Sequence, residues 1–190
     1  MADELENWNR RYREGSHSSM TPDPFLIRAW EDFISPVFPR GGHALDVAGG
    51  IGRHAIWLAK RKWHVTLLDI SDVGIARAKA NAGDCGPPID YRVTDLKLFS
   101  APEQKYELVL VFFYLERAIF PELLKALAPG GLLVYKTYTV DQPKFGDGPS
   151  HPMHLLKENE LLHSFPDLRV LFYKETIRDR GVAEFLGRKP

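Results

Sequence analysis

The sequence is short of cysteine, of net charge and of long apolar runs, and each shortage excludes a class of protein. Its 190 residues include one cysteine, Cys85, so neither an internal disulfide nor a cysteine metal cluster can form. The 25 basic and 25 acidic side chains cancel, which leaves no overall field to attract nucleic acid or an anionic membrane. The longest apolar run, 108–115, is too short to span a bilayer. We therefore expect no membrane and no nucleic-acid partner.

The start of the chain and the setting of its cysteine give further expectations. Residues 1–6 include three acidic side chains and contain no apolar secretory segment, so we expect a cytoplasmic protein. Cys85 lies among glycine and proline residues in the run 83–88, which predicts an exposed loop with an incidental thiol. The length fits a single domain, 1–190, with a sizeable hydrophobic core.

A glycine-rich turn follows the first predicted strand, 43–48. Asp46 lies near the end of that strand, and a bend that a ligand can approach closely begins just after it. The second predicted strand ends at another acid, Asp69, 23 positions after Asp46. The residues of the bend are Ala48, Gly49, Gly50, Ile51 and Gly52. This layout is typical of a nucleoside-cofactor site on a parallel sheet.

The charge of Asp46 separates the candidate cofactors. Residues 50–55 also fit the glycine fingerprint of nicotinamide enzymes. A dinucleotide, however, places an anionic pyrophosphate at the helix N-terminus, where Asp46 would repel it. S-adenosylmethionine has no phosphate and carries an ammonium and a sulfonium, which a carboxylate attracts. We therefore expect S-adenosylmethionine; a dinucleotide and a purely structural turn are the alternatives.

Five segments carry a resemblance to a known family. The chain resembles Rossmann-fold (class I) S-adenosylmethionine-dependent methyltransferases, and within them the small bacterial tellurite-resistance-like methyltransferases. The resemblance covers nearly the whole chain but specifies no substrate. Its segments are 8–12, 45–54, 67–71, 94–96 and 127–133.

The alternation of strand and helix patterns predicts an α/β fold. We expect a seven-stranded, mostly parallel sheet with helices on both faces and a C-terminal antiparallel hairpin. Outside this body lie an N-terminal lid or helical segment, 1–38, with helices at 5–14 and 25–34, and a substrate-side loop, 140–156, without regular elements. The predicted strands are 43–48, 64–70, 89–95, 106–114, 131–139, 168–176 and 182–188.

The resemblance implies roles for the acids that end the strands. Asp69 would accept hydrogen bonds from both ribose hydroxyls, and Asp95 would accept from the adenine amino group, with capping of the following helix as its alternative. Ile70 and Leu96 would enclose the adenine ring, and Asp46 would flank the methionine portion. The expected cofactor-binding residues are Trp8, Tyr12, Asp46, Ala48, Gly49, Gly50, Gly52, Asp69, Ile70, Asp95, Leu96 and Phe112.

The N-terminal aromatic residues have two interpretations. Leu5, Trp8 and Tyr12 share one face of a predicted helix, which suits a packing stripe. Trp8 and Tyr12 also resemble a segment that folds over the cofactor in related small-molecule methyltransferases. The two interpretations are compatible, because a packed lid excludes water from the methyl donor.

The residues facing a methyl acceptor are less defined. Members of the superfamily that methylate base amino groups often have an acid or amide, two prolines and an aromatic residue after strand four, where 111–117 offers aromatics without that pattern. Phe112 or Tyr114 would form a wall near the sulfonium. Arg117 would hold an anionic substrate or pair with Glu116 or Glu122. The candidate catalytic residues are His17, Tyr114, His151 and His154, and no metal is expected.

The sequence therefore predicts a methyltransferase that transfers a methyl group from S-adenosylmethionine to a small-molecule acceptor. By resemblance, the acceptor is a chalcogen oxyanion or a thiol. The alternatives are methylation of a protein or natural-product oxygen or nitrogen atom, a catalytically inactive cofactor-binding module, and a nicotinamide oxidoreductase.

Overall fold

The computed structural model describes residues 2–83 and 89–190, and within them the side chains from Glu4 onward. The prediction for Cys85 and its loop lies outside the described residues. By their internal contacts the residues form two compact units, Met1–Phe99 and Ser100–Pro190, which we describe in turn. The expectation of one domain stays a prediction.

The first unit combines a helical N-terminal segment with three parallel strands. Strand β2 pairs with β1 on one side and with β3 on the other, so it is the central strand of the three. The apolar side chains of β1 and β2 are fully buried, as the near-continuous apolar runs predict for strands covered on both faces. The elements are α1 (Ala2–Arg13), α2 (Pro24–Ala29), α3 (Ser35–Val37), β1 (His43–Val47), α4 (Arg53–Ala59), β2 (His64–Asp69), α5 (Asp72–Ala82) and β3 (Asp90–Val93).

The second unit contains four strands and two helices. Strand β5 runs parallel to β4 and antiparallel to β7, and β7 pairs with β6 in the predicted terminal hairpin. Aromatic rings fill its interior, among them Tyr135, Phe165 and Phe185. The elements are β4 (Tyr106–Phe112), α6 (Phe120–Ala126), β5 (Leu127–Tyr138), α7 (Glu160–Ser164), β6 (Arg169–Ile177) and β7 (Gly181–Arg188).

The strand order is β3-β2-β1-β4-β5-β7-β6 in a seven-stranded sheet. In the described pairs, β7 runs opposite to both of its neighbours, β5 and β6. This order and the C-terminal hairpin confirm the predicted fold class, a mostly parallel Rossmann-like sheet with helices.

Several strand boundaries differ from the prediction, and the differences at β4 and β5 have a visible cause. Strand β4 ends at Phe112 instead of residue 114, because Phe113 adopts a left-handed φ of 57° while its N–H still donates to the carbonyl of Lys136 at 2.7 Å. Strand β5 begins at Leu127 instead of residue 131, because Leu127 already pairs with Tyr106 before the register shifts. Strand propensity alone indicates neither feature.

Two irregular regions also differ from the prediction. The helix expected over 25–34 ends at Ala29, and a π-helical turn continues over Trp30–Ile34. The loop expected to lack regular elements contains two 3₁₀ turns, Gln142–Phe145 and Pro152–His154. Each of these 3₁₀ turns has a proline at its first or second position, which suits the fixed φ of that residue. Within the described residues, no helix has both the length and the apolar character needed to cross a membrane.

Candidate functional site

The glycine-rich turn is held by a carboxylate from the next strand. Asp69, at the end of β2, accepts the N–H of Gly50 on one oxygen and the N–H of Ser71 on the other, both at 2.8 Å. One buried side chain therefore fixes both the turn after β1 and the start of α5. Burial raises the pKa of Asp69 to about 6, against the opposing effect of these backbone donors.

Asp46 lies beneath the same turn. Its side chain is buried and accepts the backbone N–H of Ala55, in the first turn of α4, at 3.1 Å. A Cβ at Gly49 would lie 2.9 Å from the Asp46 carboxylate, so the turn packs directly on this acid. Burial raises the pKa of Asp46 to about 7, with Ala55 opposing the change. Two buried carboxylates thus flank one bend of backbone.

Helix α1 lies against this turn through Tyr12. The Tyr12 side chain is buried, and its hydroxyl would be 2.5 Å from a Cβ at Gly50, which adopts a φ of 55°. The ring also leaves no room for a Cβ at Gly74. Burial, with Asp69 next in importance, raises the pKa of Tyr12 well above its ordinary value, so the phenol stays protonated. Trp8 stacks on Tyr12 at 5.7 Å between ring centroids.

A hydrogen-bond network fastens α1 to α5. Asn9 donates to Asp72 at 2.8 Å and accepts the Ser71 hydroxyl at 2.5 Å, while Ser71 Oγ also accepts the N–H of Gly74. Arg77 donates to the carbonyl of Tyr12. The predicted packing stripe is thus anchored at both its side chains and its backbone. Sequence reasoning missed Asn9 and Asp72, since their partners are more than 60 positions away along the chain.

Four more of the residues expected at the cofactor, Ala48, Ile70, Asp95 and Leu96, also belong to the first unit. Ala48 takes a left-handed φ of 55°, and Ile70 follows Asp69 with partial exposure. Asp95 caps the 3₁₀ turn Leu96–Leu98 by accepting the N–H of Lys97 at 3.0 Å, as the capping alternative predicts, and Leu96 is buried. The cofactor roles expected of these residues stay predictions.

The four candidate catalytic residues are divided between the units. His17 is exposed in the first unit with its ring edge-on to Trp8; burial, then Arg11 and Arg53, lowers its pKa. In the second unit His151 and His154 are exposed, 6.1 Å apart between ring centroids, and the Tyr114 carbonyl accepts the hydroxyl of Tyr135 at 2.9 Å. Across the described residues, no group of three or more His, Cys, Asp and Glu side chains is placed to hold a metal ion.

Arg117 has a different partner from those expected. Its guanidinium forms a bidentate pair with Glu160, at 2.5 and 2.8 Å, and donates to the carbonyls of Met153 and Leu155. The pairing expected with Glu116 or Glu122 is therefore wrong, because a fork-shaped donor is better satisfied by one carboxylate and two carbonyls. Arg117 instead anchors the end of the substrate-side loop.

Three further side chains of the second unit escaped sequence reasoning. Gln142 is buried, accepts the N–H of Gly181 at 3.0 Å and donates to the carbonyl of Asp147, so it fixes the start of the substrate-side loop. Lys136 and Glu184 form a shielded ion pair with a separation of 3.0 Å. The signal available in the sequence was a charged residue next to apolar residues, Lys136 in β5 and Glu184 in β7. Phe112, the predicted wall, is buried at the end of β4.

Comparison with known proteins shows what this chain is similar to. Residues 44–131 match the family model described as a methyltransferase domain. The ubiquinone/menaquinone biosynthesis C-methyltransferase UbiE of Methylobacterium nodulans is 32% identical over 133 residues, which cover 62% of this chain and 52% of that protein. The chain therefore spans about half the length of this curated relative.

Solved structures share the fold. TehB from Haemophilus influenzae superimposes with a TM-score of 0.73 at 18% identity, covering 95% of this chain and 66% of that one. The N-methyltransferase NodS from Bradyrhizobium japonicum WM9, solved with S-adenosyl-L-homocysteine, gives 0.65 at 21% identity, covering 88% and 89%. These structures confirm the predicted Rossmann-like fold, and residues 44–131 are similar to a methyltransferase domain.

The packing of Tyr12 on the glycine turn generates a first prediction. Gly50→Ala should lower the free energy of unfolding by about 1–3 kcal/mol, because the new methyl group meets the Tyr12 hydroxyl. In a Tyr12→Phe background the nearest ring atom would be 3.3 Å away, so the same substitution should destabilise less. Urea unfolding of the four proteins measures this coupling. Equal effects of Gly50→Ala in both backgrounds would show that the ring does not lie on the turn.

The raised pKa of Asp46 generates a second prediction. Since the folded pKa of about 7 exceeds the ordinary 3.8, the contribution of Asp46 to stability is complete below about pH 4 and is lost as the pH rises through 7. Asp46→Asn keeps an acceptor for Ala55 and removes this titration. The wild-type free energy of unfolding without cofactor should fall between pH 5 and 8, and the Asn variant should fall less.

The control for this experiment is Asp95→Asn, which alters an acid in a partly exposed turn. This control should keep the wild-type dependence on pH. Asp69 titrates in the same direction, with a pKa of about 6, so the Asp46 variant should retain part of the slope. Identical slopes in wild type and Asp46→Asn would contradict the buried, raised-pKa carboxyl.

Proposed function

We propose that this chain is an enzyme that transfers a methyl group from S-adenosylmethionine to a small-molecule acceptor. The cofactor follows from the methyltransferase domain and from the fold shared with NodS, whose structure holds S-adenosyl-L-homocysteine. The observation that carries the proposal is the pair of buried carboxylates, Asp46 and Asp69, at a bend with almost no side-chain volume. Such a site suits a cationic ligand and disfavours a pyrophosphate.

The residues present fit this cofactor. Both oxygens of Asp69 accept backbone N–H groups, and an ionised carboxylate has about four acceptor positions, so it can also accept a ribose hydroxyl. A Cβ at Gly50 would fill space beside Tyr12, so the bare backbone keeps room there. Asp46 would offset the positive charge of the methionine portion. When bound, S-adenosylmethionine supplies a methyl group already activated by its sulfonium.

The chain's own residues would contribute chiefly by orientation. Holding the acceptor and the methyl donor in line can lower the barrier by roughly 7–11 kcal/mol without any acid or base. Tyr12 and Trp8, fixed on α5 through Asn9, would cover the donor and exclude water. A general base is needed only for an acceptor that is protonated at neutral pH, for which His17, Tyr114, His151 and His154 are the candidates.

The acceptor class has more than one candidate. The fold shared with TehB over 95% of the chain supports the tellurite-resistance-like group and a chalcogen oxyanion or thiol acceptor. The 32% identity to a C-methyltransferase, over about half of that protein, supports a small organic acceptor. Oxygen or nitrogen atoms of natural products or proteins, and a catalytically inactive module, stay as alternatives. The cytoplasmic location and the lack of a nucleic-acid partner stay predictions.

Cofactor binding is the first test of this proposal. Calorimetry should show binding of S-adenosylmethionine and no binding of a nicotinamide dinucleotide. Asp69→Asn should weaken S-adenosylmethionine binding by about tenfold or more, because an amide offers one acceptor oxygen in place of two. The matched control, Asp90→Asn, removes an exposed ion pair with Arg92 and should bind normally. Binding of the dinucleotide alone would overturn the assignment.

The role of α1 as a lid gives a separate prediction. Deletion of residues 1–20 removes Trp8 and Tyr12 and should abolish measurable S-adenosylmethionine binding, while β1 to β3 keep their pairing. Circular dichroism and cooperative urea unfolding would check that the remaining chain is folded. Glu4→Ala, which breaks only the exposed contact with Lys97 at 2.9 Å, should retain the wild-type affinity. A truncated protein that binds as tightly as the full chain would refute the lid.

A further inference from the structure

The second unit contains a charged pair in a place where charges are rare. Lys136 on β5 and Glu184 on β7 are direct cross-strand neighbours, and Lys136 Nζ lies 3.0 Å from Glu184 Oε1. Their side chains are only 12% and 8% exposed. By contrast, one partner of the Lys97–Glu4 pair is 44% exposed. The Lys136–Glu184 pair is therefore largely removed from water.

Folding alone does not account for this pair. Desolvating two charges can cost more than their attraction returns, and well-packed apolar side chains often stabilise such a position equally or better. Buried apolar side chains lie next to both residues along the chain, with Leu132 to Tyr135 before Lys136 and Phe185 and Leu186 after Glu184. A buried ion pair is therefore weak evidence for a stabilising role, and the two charges are candidates for a role in binding.

Aromatic rings stand beside the ammonium group. The Phe113 ring centroid lies 5.7 Å from Lys136 Nζ and 5.0 Å from the Tyr138 ring centroid. Phe113 adopts a φ of 57°, which is uncommon for a bulky side chain and is typical of functional positions. Phe113 and Tyr138 both keep partial exposure. A cation and two partly exposed aromatic residues therefore occupy one small region.

The region lies where ligands bind in this architecture. Lys136 pairs in register with Phe112, the last residue of β4, and lies two residues before the end of β5. In open α/β sheets, ligands bind beyond the carboxyl ends of the parallel strands. Gln142 and Arg117 hold the loop that follows β5.

We infer that Lys136, oriented by Glu184, binds an acidic oxygen of the methyl acceptor, and that Phe113 and Tyr138 pack on a flat ring in the same molecule. The acceptor is accordingly a small aromatic acid, a class distinct from a neutral or a cationic acceptor. The identification of this ligand as the methyl acceptor rests on the proposed function, but binding of the acid does not require the cofactor. The contact is a noncovalent ion pair, in which the ligand shares the ammonium with Glu184.

Matched acid and amide probes test the inference by calorimetry without cofactor. The pairs are benzoate and benzamide, 4-hydroxybenzoate and 4-hydroxybenzamide, and salicylate and salicylamide. The acid of at least one pair should bind about tenfold or more tightly than its amide, as expected for a charge-assisted contact. Lys136→Met should abolish this preference. Equal affinity within every pair, or no binding of any acid, would overturn the inference.

Two variants separate binding from a structural role. Lys174 faces Glu184 from β6 and is exposed, so Lys174→Met is the matched control and should keep the preference for acids. Glu184→Gln removes the competing anion and should bind the acids at least as tightly as wild type. A purely structural pair would instead make Lys136→Met and Glu184→Gln alike in stability and neutral in binding.

A charge-swapped protein covers the case in which Lys136→Met does not fold. Lys136→Glu with Glu184→Lys restores the ion pair and should restore thermal stability, but it moves the cation to β7 and should lose the acid preference. Retention of the preference by the swapped protein would contradict the inference. S-adenosylmethionine binding is measured on the same proteins, so failure of the cofactor assignment is seen separately from failure of acid binding.

Discussion

The first unit depends on one carboxylate. Asp69 accepts N–H groups from the turn after β1 and from the start of α5, so it fixes two segments that are 21 positions apart, from Gly50 to Ser71. A change of this side chain therefore alters both the ligand surface and its support. Because its pKa of about 6 lies below neutral pH, the anion is mostly present in the folded protein before any ligand arrives. A carboxylate that is already ionised and held by backbone donors accepts further hydrogen bonds with little free energy lost to reorganisation.

The same turn explains why the N-terminal helix packs where it does. Because Gly50 and Gly74 have no side chains, they leave a recess, which the Tyr12 side chain fills. Ser71 links this recess to Asp69, since its N–H donates to the acid while its hydroxyl donates to Asn9. Helix α1 is thus positioned by the residues that shape the cofactor turn. Helix α1 and the turn form one hydrogen-bonded assembly within the unit, so the packing stripe is compatible with the lid proposed for α1.

Local patterns predicted the elements well and their partners poorly. The apolar runs indicated all seven strands, and the terminal hairpin followed from the short turn before Gly181. The end of β4 was missed, because nothing in the pattern signals an aromatic residue at a φ of 57°. The partner of Arg117 was missed for a different reason: Glu160 is 43 positions away, and only the folded chain brings the two together. Acids at strand ends were identified because the topology alone places them.

A charged residue inside a buried strand needs a partner, which local sequence patterns do not identify. Alternation along β5 places Lys136 on one face and the buried Tyr135 on the other. Lys136 therefore lies next to Glu184, its partner in register on β7. An apolar residue at that neighbouring position would have left a desolvated ammonium, whereas Glu184 pairs with it. The two charges therefore depend on each other, and neither is expected to persist alone. Apolar pairs often replace buried ion pairs without loss of stability, so the two charges, next to Phe113 with its left-handed φ, are consistent with the acid-binding role proposed for Lys136.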